Sequence, residues 1–211
     1  MGKGRLEAFS DGVFAIIITI MVLEMKDPHG AELGALREVA PMFLGYVLSF
    51  LYLGIYWCNH HHLLYATHRV NGAILWANLH LLFWLSLVPF VTRWMGDNHF
   101  APGPTMAYGV ILLLAGIAYW LLQRTILLQE GPRSMLAAAI GGDRKVKLSL
   151  LSYGIAIPVA LLRPWIAGAL YAFVILLWLV PDRRIERKVA LAGQEDGTEP
   201  AGLGHGDTAA G

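Results

Sequence analysis

Charge is what this chain lacks most. Asp, Glu, Lys and Arg make up 15% of its 211 residues, against about 25% in an ordinary soluble domain. Cys58 is the only cysteine, which excludes an intramolecular disulfide and a thiolate metal cluster. The formal net charge is +1, and no basic run carries interleaved aromatics, so no nucleic-acid partner is expected. There is no nucleophile elbow, so catalysis has little to stand on. No His-x-x-x-His pair exists either, which leaves the triplet His60–His62 without chelating spacing on one helix face. An internal repeat is missing too, since Phe-Ser-Asp occurs once.

Apolar residues fill the gap. They make up 56% of the chain and the mean hydropathy is +0.55. Seven tryptophans and eight tyrosines are available for interfacial belts. The expected class is an all-α polytopic membrane protein with six transmembrane helices, read at about Leu6–Met25, Val39–Leu64, Gly72–Trp94, Thr105–Leu127, Lys147–Leu162 and Trp165–Val180. A span needs roughly 20 apolar residues, so the last two runs are short and must lean on flanking Lys147, Arg163 and Arg183. Pro89 and Pro158 predict kinks, and Arg163-Pro164 predicts a tight hairpin. The first run imitates a signal peptide. Asp11 before it and the lack of a small-x-small cleavage site favour a retained helix.

Loop charge sets orientation. With the N-terminus inside, twelve of the sixteen Lys and Arg residues fall on the cytoplasmic side and four on the other. Both termini are therefore expected in the cytoplasm, and the host is expected to be the cell membrane. Residues 1–188 are expected to form the six-helix unit. The remainder, 189–211, is Gly-, Ala- and acid-rich with almost nothing to bury, so a disordered cytoplasmic tail is expected. Small residues at helical spacing, Gly45 with Ser49, Gly109 with Gly116 and Gly168 with Ala172, mark expected close helix contacts.

The first run holds the functional signal. Turned at about 100° per residue, it places Ile16, Ile20 and Leu23 on one narrow stripe with Thr19 beside it. Asp11 lies roughly 140° from Ile16. By itself such a stripe is usually core. The pattern Arg5, Phe9, Ser10 and Asp11, however, reads Arg-x-x-x-Phe-Ser-Asp at the entrance of an apolar helix. It resembles the signature of the potassium channel family known as transmembrane protein 175, in its short prokaryotic form. That resemblance implies a homotetramer whose central pore is lined by the first helix of each subunit. It implies a hydrophobic constriction at Ile16, further apolar rings at Ile20 and Leu23, and a hydroxyl layer at Thr19.

An ionisable group at the membrane edge needs a partner. His60, Asn78 and His80 share the cytoplasmic side with Asp11 on this topology, and the family resemblance ties a histidine at the position of His60 to the motif. A polar clamp among Arg5, Ser10, Asp11, His60 and Asn78 is the expectation, holding the pore helix. A haem held by His60 and His80 is disfavoured for want of a supporting pair.

The function expected is a potassium-selective cation channel without the Thr-Val-Gly-Tyr-Gly carbonyl filter. Its partners are a second, third and fourth copy of itself, the bilayer and the permeant potassium ion, with no bound cofactor, metal site or enzyme activity. Glu24, Asp27 and Glu32 on the outer side would concentrate cations. The alternative is a proton-coupled transporter relaying through Asp11 and His60. It ranks lower, because transporters usually carry internal repeats.

Overall fold

The computed structural model describes residues 2–131 and 144–179. The chain divides into two units, 1–180 and 181–211, and everything described belongs to the first. The expected tail, 189–211, lies outside the described residues.

Among these residues the structure is all-helical. It comprises α1 (Lys3–Leu23), a 3₁₀ turn (Leu33–Ala35), α2 (Leu36–Tyr65), α3 (Gly72–Ser86), α4 (Val88–Asp97), α5 (Pro102–Glu130), α6 (Arg144–Leu162) and α7 (Pro164–Leu179). Five helical stretches are long and apolar enough to cross a membrane, and α7 is a shorter apolar helix. The six runs read from hydropathy therefore correspond to six helical stretches, the third of them formed by α3 and α4 together.

Local chemistry explains the boundaries. Asn71 caps α3 through its side-chain oxygen, which accepts from the Ile74 N–H at 2.9 Å. The third span breaks at Leu87, two residues before Pro89, whose ring cannot continue an i→i−4 ladder. Pro158 also removes one such bond, yet α6 runs through it. A single residue, Arg163, joins α6 to α7, and its carbonyl accepts from Ile166 N–H at 3.0 Å. The tight hairpin is there. At the same end of the bundle, α4 closes with Phe100 N–H on the Met95 carbonyl and His99 N–H on the Gly96 carbonyl. This is a Schellman closure, and it holds His99 at φ 50°.

With no water in the hydrocarbon core, buried polar groups must pair within the protein. Ser49 Oγ meets Thr92 Oγ1 at 2.6 Å and Tyr108 Oη at 3.0 Å, joining α2, α4 and α5. Tyr52 Oη donates to the Tyr171 carbonyl at 2.6 Å, and Tyr171 Oη donates to the Thr105 carbonyl at 2.9 Å. These hydroxyls bind α7 to α2 and α5. Two apolar clusters flank them. One joins α1, α2, α3, α5 and the first residue of α4, Val88, the other α2, α4, α5, α6 and α7. Helices α2, α4 and α5 contribute to both.

Close approach matters at fewer glycines than spacing suggests. Gly45 faces Thr92, and Gly109 and Gly116 face Tyr171 and Leu150. A Cβ at Gly168 would meet no neighbouring helix within 4 Å. The tightest backbone contact is at Gly96, four residues after Thr92, a pair not among those singled out above. A Cβ there would sit 2.7 Å from the Met42 Cα. Gly96→Ala must push α4 off α2, and overpacking of this kind costs about 1–3 kcal/mol. A clearly lowered melting temperature of the detergent-solubilised protein is expected, with Gly168→Ala unchanged. Equal melting of the two variants would refute the contact.

Candidate functional site

Helix α1 has two faces. Leu6, Ser10, Phe14, Ile17 and Met21, spaced four, four, three and four apart, are buried. They form a seam against α2, α3 and α4, which is the periodicity of a helix docked along one side. The other face is left open within the single chain. Ile16 is 58% exposed, Ile20 39% and Leu23 80%. Thr19 lies on the same side, and its hydroxyl is 3.0 Å from both the Ala15 and Ile16 carbonyls. The hydroxyl proton thus goes to the helix itself, which leaves the oxygen lone pairs facing outward. All four residues singled out from the sequence lie on this one uncovered face.

The buried face carries a polar anchor. Ser10, Asn78 and His60 are each at most 1% exposed. His60 Nε2 lies 2.6 Å from Asn78 Oδ1, and Asn78 Nδ2 donates to Ser10 Oγ at 3.0 Å. Ser10 Oγ in turn donates to the Leu6 carbonyl at 2.8 Å. Since an amide oxygen only accepts, His60 must carry its proton on Nε2. The result is a one-way chain of donors from α2 through α3 into α1. Phe14 packs its ring 5.6 Å from the His60 imidazole and closes the site on its apolar side.

Two members of the expected clamp are not in this chain of bonds. Asp11 is exposed, and its Oδ1 accepts from the Trp57 indole N–H at 2.9 Å. Its partner is therefore Trp57, not His60. The physical reason is angular. Ser10 and Asp11 are adjacent, so they point about 100° apart, and once Ser10 faces the bundle Asp11 cannot. Trp57 and His60 lie three residues apart on α2; Trp57 takes Asp11 directly, and His60 reaches Ser10 only through Asn78. Arg5 is exposed, and among the described residues its side chain has no hydrogen bond or ion pair. Phe9 is 50% exposed. The Arg5, Phe9 and Asp11 side of the motif thus faces outward, while Ser10 faces in.

Trp57 was missed by sequence reasoning. The available signal was its spacing from His60, matching the adjacent polar pair on α1. Of the other histidines, His61 and His62 are exposed, and His80 accepts from Trp84 Nε1 at 2.9 Å on the outer face of α3. Among the described residues no group of three His, Cys, Asp or Glu side chains is placed to hold a metal ion. Beyond the C-terminal end of the α1 stripe, Glu24 is partly buried, while Asp27 and Glu32 are exposed. Asp97 there gathers Lys26 at 3.0 Å and Arg93 at 3.7 Å.

The family model described as endosomal/lysosomal potassium channel TMEM175 matches residues 5–89, which hold α1, the anchor and the Trp57–Asp11 bond. A potassium channel from Chryseobacterium sp. (strain P1-3) is 52% identical over 189 residues, covering 90% of this chain and 98% of that protein. One from Streptomyces collinus is 32% identical over 170 residues, covering 75% of this chain and 82% of the relative. Among solved structures, the crystal structure of a lysosomal potassium-selective channel TMEM175 homolog from Chamaesiphon minutus superposes with a TM-score of 0.73 at 27% identity. The match covers 84% of this chain and 96% of that one. An identity of 52% along nearly the whole of a bacterial potassium channel, together with the family-model match and the structural match to a TMEM175 homolog, places the chain in one family: it is a prokaryotic member of the TMEM175 potassium channel family.

Proposed function

We propose that this protein is a potassium-selective cation channel of the cell membrane, assembled as a homotetramer with the α1 helices around a central pore. Residues 1–188 form the channel unit, and both termini lie in the cytoplasm, as the loop charge bias requires. One observation carries the reading. The face of α1 bearing Ile16, Thr19, Ile20 and Leu23 is uncovered in the single chain, while its opposite face is anchored to α2 and α3. Four copies of such a face make a narrow apolar tube. An ion crossing it must shed or deform its hydration shell, and the Thr19 lone pairs offer partial replacement. Selection in this tube needs no carbonyl filter, and hydrophobic constrictions also gate by dewetting. Glu24, Asp27 and Glu32 supply negative potential at the outer mouth. The permeant potassium ion is the only ligand required.

The transporter alternative would need Asp11 and His60 in one proton relay. They have separate partners, Trp57 and Asn78, so nothing in the geometry favours it.

The test is a planar-bilayer recording of purified protein under a potassium gradient. A current reversing near the potassium equilibrium potential is expected, and a current without preference for potassium over sodium would defeat the proposal. Asp11→Asn offers a second check. Asp11 lies off the pore stripe and holds Trp57, so the variant should lower current or assembly while any remaining current keeps its selectivity. Altered selectivity at full current would put Asp11 in the ion path instead.

A further inference from the structure

Near the basic end of the bundle, α2, α5, α6 and α7 enclose a cavity that the pore does not use. Tyr52, Tyr56, Gly116, Leu150, Tyr153 and Trp178 line it, and it measures about 440 Å³ with its mouth. Tyr56, Leu150 and Trp178 are partly exposed, so the cavity opens on the surface of the bundle. Gly116 keeps one wall back, because a Cβ there would lie 3.0 Å from Leu150 Cδ2. The lining is almost wholly apolar.

The chemistry at one end of this cavity is different. Trp178, part of the wall, donates its indole N–H to Ser149 Oγ at 2.9 Å. Ser149 donates to the Lys145 carbonyl at 2.8 Å. The Lys145 ammonium lies 5.9 Å from the Trp178 ring centroid. One indole therefore has the cavity and a cation as neighbours. Arg144 and Lys147 are exposed on the same first turn of α6, and Arg124 lies over Trp120 near the matching end of α5. An apolar slot with an interfacial tryptophan and a cationic rim is complementary to an amphiphile with a negative head.

We propose that this cavity is a binding site for an anionic phospholipid, one acyl chain lying along Tyr56, Leu150 and Trp178 and the phosphate resting against Lys145. The lipid braces α2 against α6 and α7 at the basic end of the bundle.

Native mass spectrometry of the detergent-solubilised full chain tests this by mass, independently of ion flux. Dioleoyl-phosphatidylglycerol and dioleoyl-phosphatidylcholine are titrated in parallel, with glycerol 1-phosphate as the chainless control. Phosphatidylglycerol should bind more tightly than phosphatidylcholine, and Lys145→Gln should weaken it by about fivefold while leaving phosphatidylcholine unchanged. Gly116→Leu should reduce occupancy by both lipids. Should that variant fail to assemble, Leu150→Phe fills the slot from the opposite wall and carries the same expectation. An unchanged preference in Lys145→Gln overturns the site. So does full occupancy in the cavity-filling variant, or binding of glycerol 1-phosphate as tight as that of phosphatidylglycerol, which would make it a site for free phosphate esters.

Discussion

Ile16→Asn and Ile20→Asn channels are expected to carry currents about tenfold larger than the parent and to lose preference for potassium over sodium. The side chains at these positions are on the uncovered face of α1, so in the proposed tetramer four copies converge at the narrowest part of the pore. An isobutyl-sized apolar ring offers a permeating ion nothing in exchange for its water. An amide at the same place offers an oxygen acceptor and holds water in the constriction. Lowering the barrier by only about 1.4 kcal/mol raises the rate tenfold, and hydrating one ring can supply that. Selectivity falls for the same reason, because a hydrated ion that need not shed water is not measured by its dehydration cost. Ile17→Val is the control. Ile17 is 4% exposed and belongs to the packed face, so conductance and selectivity should stay as they are. Single-channel recordings in mixed potassium and sodium read both quantities. If neither Asn variant differs from the parent, α1 does not line the pore.

The second large effect is expected at the anchor. Asn78→Ala leaves His60 Nε2 and Ser10 Oγ without their partner in a buried site, and a stranded buried polar group costs about 1–3 kcal/mol. His60→Ala leaves Asn78 Oδ1 in the same position. Because the two residues share one bond at 2.6 Å, their losses should not add. The double variant should lose less than the sum, by about 0.5–3 kcal/mol. Asp11→Asn combined with His60→Ala should be additive to within about 0.5 kcal/mol, since Asp11 bonds to Trp57 instead. Thermal melting of the solubilised protein measures all of these, and His61→Ala, on the exposed side of α2, serves as a further control. Coupling of His60 to Asp11 as strong as to Asn78 would restore the five-member clamp and disprove the present arrangement.

Much of this molecule is legible in its amino acids because the bilayer constrains sequence strongly. A spanning segment has to be apolar over about 20 residues, so the six runs and the short links between them stand out. Helical periodicity depends only on 100° per residue, which is why spacing alone groups Ile16, Ile20 and Leu23 on one stripe. Pro89 and Arg163-Pro164 act through their own covalent geometry, and both mark breaks where expected. The motif Arg5, Phe9, Ser10 and Asp11 is local too, and it points to the family.

Contacts between helices are another matter. Sequence alone determined that this is a polytopic helical membrane protein with one conspicuous stripe on its first helix, because both properties follow from residues close in the chain. Which side of that helix faces protein, and which is left bare, was decided by the docking of α2 and α3. That docking buries Ser10 with Asn78 and His60 and turns Asp11 outward to Trp57. Gly96 tells the same story, since its need for a bare Cα arises only from Met42, more than fifty residues earlier. Pairings of this kind depend on the rotation and depth at which two helices meet. Those are set by the sum of many small packing terms over the whole interface, and no single stretch of sequence contains that sum.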